Sequence, residues 1–177
     1  MKISYLADHE NLISDVARLQ FIEWGHFRPG DTVEARTERL RPCCRKGSVP
    51  TVLAGFLDSK LFGAAMLVEN DMDSRPDLGP WLAGVVVEPE HRNKGLGSSL
   101  VEAAVSEARN LGVSRLYLCT DASQSLYSRL GWSELERCNY KGIEVTIMYK
   151  DLGPNNSFKP NPLRSSKTPS GLSGGSA

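Results

Sequence analysis

The sequence predicts an α/β fold of the mixed α+β kind, a central and mostly antiparallel sheet covered by helices on both faces. Three features predict it. Thr51 to Leu57 and Leu61 to Val68 are apolar runs parted by Asp58-Ser59-Lys60, which reads as a β-hairpin. Trp81 to Val87, a helical stretch and Arg115 to Cys119 then follow as strand, helix and strand, and a right-handed crossover makes those two strands a parallel pair. Ser133 to Asn139 with Ile143 to Lys150 reads as a closing hairpin.

Ile3 to Leu6 opens the chain as a short strand. Asp8 is placed to cap a helix carrying Leu12, Ile13, Val16, Leu19 and Ile22, which stops at Gly25. Gly30 and Asp31 reopen the chain, and Thr32 to about Leu40 forms a second helix ended by Pro42. Asn70 to Pro80 is a long connection into the third strong strand, whose valines Val85, Val86 and Val87 predict burial on both faces. Leu100, Val101, Ala104, Val105, Ala108 and Leu111 recur at helical spacing, and Gly112 supplies a left-handed stop. Ala122 to Leu130 forms a short helix ended by Gly131. Residues 1–152 thus read as one domain, and 153–177, dense in Ser, Pro, Asn and Gly, as a disordered tail.

The totals exclude several function classes. Lysine and arginine equal aspartate and glutamate at 21 each, so no net field draws the molecule to nucleic acid or an anionic membrane, and neither is expected as a partner. No run approaches the roughly 20 apolar residues of a membrane span, and Met1 to Glu10 mixes charged with apolar residues; the expected location is the cytoplasm. Cys43, Cys44, Cys119 and Cys138 show no Cys-x-x-Cys spacing and read as buried free thiols, with no disulfide framework and no metal site.

The segment Val85-Val86-Val87-Glu88-Pro89-Glu90-His91-Arg92-Asn93-Lys94-Gly95-Leu96-Gly97 joins the central strand to the longest helix. A helix start offers unpaired N–H groups and the positive end of a dipole, both suited to a phosphate. Gly95 and Gly97 let the backbone approach phosphate oxygens closely, and Arg92 and Lys94 can add charge-assisted contacts. A Walker loop is excluded, because no Gly-Lys-Ser or Gly-Lys-Thr follows. A dinucleotide fingerprint, with Asp121 as the ribose acid, fits less well: Leu100 stands at its third glycine, and about seven residues separate Val87 from Gly95.

Arg92-Asn93-Lys94-Gly95-Leu96-Gly97 resembles the Arg/Gln-x-x-Gly-x-Gly/Ala signature of the GNAT superfamily of N-acetyltransferases, and Leu116 to Thr120 with Tyr127-Ser128-Arg129-Leu130-Gly131-Trp132 is similar to its second coenzyme motif. Asp71 to Trp81 is similar to a run found in small bacterial members, and the likeness extends over roughly Lys2 to Leu152. The resemblance implies a fold whose parallel strand pair is splayed, and acetyl-CoA as cosubstrate. It implies Arg92, Asn93, Lys94, Gly95, Leu96, Gly97 and Ser98 as pyrophosphate contacts, with Thr120 and Tyr127 also at the coenzyme. The backbone of Val85 and Val87 would pair with the pantetheine arm like an added strand, and the N–H of Val86 or Val87 would face the acyl oxygen. Homodimers are common among such proteins.

Acetyl transfer to an amine needs a neutral nucleophile, stabilisation of the developing oxyanion and a proton for the departing thiolate. The resemblance places Tyr127 beside the coenzyme sulfur as proton donor; the plainer alternative is a packed tyrosine bonded to backbone. For the base, Glu23 comes first and Asp71 second, each with a plainer reading as solvated surface or turn chemistry, and His26 lies near Glu23. Arg36, Arg39, Arg41, Arg45 and Lys46, interleaved with Glu34 and Glu38, read as a solvated helical face before an anion site. Trp24 and Trp81 read as core before acceptor-pocket walls, and His91 as exposed. The function expected is acetyl transfer to a primary amine of a small molecule or peptide N-terminus, the alternative a non-catalytic acyl-CoA sensor.

Overall fold

The computed structural model describes residues 1–153, so the expected tail lies, but for Gly153, outside the described residues. Seven strands form one sheet: β1 (Lys2–Tyr5), β2 (Thr51–Leu57), β3 (Lys60–Val68), β4 (Trp81–Val87), β5 (Arg115–Thr120), β6 (Ser133–Tyr140) and β7 (Ile143–Asp151). Their order is β1-β2-β3-β4-β5-β7-β6, and β4 with β5 is the parallel pair among antiparallel neighbours.

Four helices cover the sheet: α1 (Ile13–Trp24), α2 (Val33–Leu40), α3 (Leu96–Asn110) and α4 (Gln124–Arg129). Alternation along the strands divides the core. Leu53, Phe62, Leu67, Leu82, Leu116 and Leu118 turn toward α3 and α4, while Val52, Ala54, Ala64 and Val86 turn toward α1 and α2. A third cluster of Met72, Trp81, Val145 and Ile147 holds the Asn70 to Pro80 connection against β5 and β7. Trp81 is fully buried and its Nε1 donates to Leu78 O at 2.9 Å, so it is core, as its type suggests.

Four local expectations are corrected. Asp8 caps no helix: Leu6–Asp8 and Glu10–Leu12 are 3-10 turns, α1 starts at Ile13, and the Asp8 carboxylate takes Lys46 instead. Ile22 is 54 % exposed, because nine residues past Ile13 at about 100° each lies on the opposite side of the helix. The first hairpin turns on Asp58 and Ser59 alone, both at positive φ, with Lys60 already paired to Leu57. Of the valine strand only Trp81, Leu82 and Val86 are buried: Val87 is half-buried, as are Ala83, Gly84 and Val85 beside a cleft.

That cleft follows from two irregularities in β4. The parallel pairing with β5 has a single matched position, Trp81 with Tyr117, beyond which the strands part. On the other edge, Met66 faces Ala83 and Ala64 faces Val86, so Gly84 and Val85 share one partner as a β-bulge. Gly84 sits at φ +57, where a Cβ would come within 2.9 Å of Gln20 Nε2.

Candidate active site

A cleft of about 790 Å³ opens where β4 and β5 part, between α1 and α2 on one side and the Asn70 connection and the end of β5 on the other. Val85, Thr120 and Tyr127 line it from the coenzyme set, and Glu23 and Asp71 from the base set. Arg92 to Ser98 lie beyond its lining, at the start of α3.

The start of α3 is built from backbone. Gly95 is its N-cap at φ +79, and Asn93 also has positive φ. None of the amides from Asn93 to Ser98 donates to a protein acceptor among the described residues; the first paired amide of the helix is Ser99, to Gly95 O at 3.1 Å. Six consecutive free donors at a helix N-terminus are an anion cradle. A Cβ at Gly95 would meet nothing within 4 Å, so its glycine answers to the backbone angle and to open approach. The two basic side chains fold back on the protein: Lys94 Nζ bonds Glu90 O at 2.9 Å, while Arg92 donates to Val87 O at 3.0 Å and pairs with Glu23 at 2.7 Å.

The strand edge beside this cradle has no strand partner past Trp81, and Arg92 is the side chain that bonds its Val87 carbonyl. Glu88 N–H bonds Phe62 O, so by the alternation of an antiparallel ladder Val86 faces β3 while Val87 turns its N–H to the open side. Val85 lies in the bulge and lines the cleft. Thr120 turns its hydroxyl to Ser123 N–H at 3.0 Å, shaping the turn that brings Tyr127 to the cleft.

Tyr127 is only 8 % exposed, in edge contact with Trp132, and its hydroxyl bonds no protein group among the described residues. The backbone bond of the plainer reading is absent. Burial pushes the phenol up to about 12, so it keeps its proton throughout the working range. Asp71 is reached by solvent at the cleft mouth, yet protein crowds around it, and that desolvation raises its carboxyl above the usual range against the pull of Lys141. Glu23, by contrast, spends its carboxylate on Arg92. His91 is half-buried, not exposed, with Nδ1 lacking a hydrogen bond.

Met66 and Cys119 line the cleft with no site signal in the sequence pattern, and Trp24, His26, Arg36, Arg39 and Asp121, whose plainer reading comes first or whose site reading is of another kind, line it as well. Gln20 lines it too: it continues the Ile13, Val16, Ala17 stripe of α1, a polar residue in an apolar place, 7 % exposed, whose amide among the described residues bonds Met66 Sδ at 3.2 Å. The cysteines are free and half-buried, and among the described residues no group of His, Cys, Asp and Glu could hold a metal ion.

Residues 14–132 match the model of the Acetyltransferase (GNAT) family. The chain belongs to that family. This GNAT chain is 28% identical over 91 residues to N-alpha-acetyltransferase 30 of Schizosaccharomyces pombe, a stretch that takes in 49% of the chain and 57% of that protein. It therefore spans little more than half the length of that curated relative. Its fold matches ribosomal-protein-alanine N-acetyltransferase from Brucella melitensis with a TM-score of 0.68 at 18% identity, covering 85% of this chain and 99% of that one. An aminoglycoside 6'-N-acetyltransferase in complex with coenzyme A matches at 0.67 and 17%, covering 87% and 98%. The sheet of this GNAT protein, mostly antiparallel with one parting parallel pair, is the fold expected of the family. No helix among the described residues is long and apolar enough to cross a membrane.

Proposed function

We propose that this protein transfers an acetyl group from acetyl-CoA to a primary amine of a small molecule or a peptide N-terminus, in the cytoplasm. The observation that carries the reading is the run of free amides from Asn93 to Ser98 set beside the edge of β4 where the ladder with β5 has ended. The amides hold the pyrophosphate, and the Val85 and Val87 backbone pairs with the pantetheine arm. The amides have no protein partner among the described residues, and Val87 keeps its N–H open while its carbonyl takes Arg92 Nε. When bound, acetyl-CoA supplies an activated acetyl group on a thiol leaving group.

The chain's own residues then divide the proton work. Asp71 accepts the proton that frees the amine, and its raised pKa suits it to that task better than Glu23, whose carboxylate Arg92 occupies. The amine nitrogen bonds to the acetyl carbon, the carbon–sulfur bond breaks as Tyr127 gives its proton to the departing sulfur, and the extra proton on the new amide nitrogen passes to solvent, which also reprotonates Tyr127 and takes the proton from Asp71. Transfer is direct, because burial pushes the Cys119 thiol in the cleft up to about 12 and leaves it a poor nucleophile.

Calorimetry with coenzyme A, followed by thiol release across a panel of amines, tests the reading. Binding with release on at least one amine is expected. No heat of association overturns the acetyltransferase reading, and tight binding with no release under any acceptor turns it into an acyl-CoA sensor.

A further inference from the structure

Arg36 and Arg39 are one helical turn apart on α2, and both line the cleft. Their partner is Asp31, in the connection just before the helix. Arg36 Nε bonds Asp31 Oδ2 at 2.6 Å, and Arg39 Nη2 bonds Oδ1. The Asp31 side chain has no solvent exposure, and the Arg39 bond leads in holding its carboxyl below the usual range.

The arrangement leaves donors to spare. A single carboxylate takes one nitrogen from each arginine, and no other protein acceptor among the described residues takes the rest. Arg36 is the telling case, with a side chain only 15 % exposed and both terminal nitrogens unused. An arginine placed merely to neutralise Asp31 has no need of a second arginine, and one placed for solubility would not be mostly buried. A planar fork steadied through Nε, on a residue that lines the cleft and whose Nη groups take no acceptor among the described residues, is set up to take a carboxylate edge-on.

Charge across the cleft is arranged to match. Arg36 and Arg39 stand at the α2 side, and Asp71 and Asp121 line the cleft from the connection after β3 and the end of β5. We infer that the acceptor is a small amino carboxylic acid, its carboxylate held by Arg36 and Arg39 and its amine presented at Asp71. The inference rests on the acetyltransferase reading for the identity of the cleft, but its test separates the two.

The test uses protein saturated with coenzyme A, titrated in a calorimeter with twenty free L-amino acids and the matching amino acid amides. At least one acid is expected to bind roughly tenfold to a hundredfold more tightly than its amide, the advantage that a charge-assisted hydrogen bond gives over a neutral one. Arg36→Gln and Arg36→Lys are each expected to remove that preference, the lysine because a point charge lacks the planar fork. Retained coenzyme binding in the same variants reports an intact fold. Equal affinity for acid and amide, binding of no panel member, or a preference that survives Arg36→Gln each overturns the inference while the acetyltransferase reading stands. Loss of coenzyme binding by the unaltered protein would sink that reading instead.

Discussion

The two ends of the cleft are built on opposite plans. At the coenzyme end, the turn into α3 offers six amides from one continuous segment, and its basic side chains are committed elsewhere. At the acceptor end, nothing is continuous: Gln20 and Glu23 come from α1, Arg36 and Arg39 from α2, Asp71 from the long connection and Asp121 from the end of β5. A backbone device binds a group common to many reactions and tolerates change in side chains, whereas a side-chain device can be respecified one residue at a time. The difference predicts that substitutions at one end should leave the other nearly untouched.

Tyr127 and Asp71 are the two residues given proton work, and they give the largest expected effects. Tyr127→Phe should lower turnover at saturating acetyl-CoA by about 10²–10⁴-fold. Because the phenol stays protonated up to about 12, the loss should be the same factor at every working pH. Unchanged turnover would strip Tyr127 of its role as acid. Asp71→Asn should cost a similar factor but act through the pH profile, abolishing the rise in rate that follows deprotonation of a carboxyl titrating above its usual range. Stability should move the other way. A folded pKa above the unfolded one means that the group's contribution to stability is full below the unfolded value and lost as pH rises through the folded one. At neutral pH the Asp71 carboxylate thus opposes folding, and Asp71→Asn should hold or raise Tm while it loses activity. A fall in both would show Asp71 to be structural.

The coenzyme end can be broken with a matched pair. Gly95 and Gly112 have almost the same φ, +79 and +80, and at both a Cβ would meet nothing within 4 Å. Valine at either should cost about 1–2 kcal/mol of backbone strain. Both variants should therefore lose stability alike in denaturant unfolding. Only Gly95→Val should weaken coenzyme A in calorimetry, by roughly tenfold or more, because Gly95 carries the amides and Gly112 merely ends α3. Equal coenzyme affinity in the pair would detach the cradle from the ligand.

How much can be read from sequence follows the same division. Gly95, Gly97 and the strand before them stand in one stretch, so a local pattern of backbone needs is legible, as are the hairpins and the parallel pair. The acceptor wall is legible only in part: Glu23 and Asp71 are singled out in the sequence, while the other members have a sufficient local reason to be what they are. Arg36 and Arg39, alternating with Glu34 and Glu38, have the pattern of a solvated helix face, and only the fold of α2 against α1 turns them to the cleft. Gln20 is readable in principle from its place in an apolar stripe, but a stripe traced through Ile22 runs half a turn away from it. The bulge at Gly84 depends on the register of β3, which no residue of β4 states by itself.

The smallest expected effect sharpens the division most. Thr32 caps α2, its Oγ1 accepting from Ala35 N–H at 3.1 Å; it lies outside the cradle and the cleft lining, and its own carbonyl accepts from Arg36 N–H at 3.0 Å. Thr32→Ala should cost about 1 kcal/mol, or roughly 2–4 °C in Tm for a domain of this size. Fraying of the first turn of α2 should loosen Arg36, which sits in the next turn, and so raise the acceptor KM a fewfold while coenzyme A binds as before. Thr32→Ser keeps the capping oxygen and should restore both stability and KM. If Thr32→Ala instead weakened coenzyme and acceptor together, the two ends would share one cooperative unit, and their separate construction would not amount to separate function.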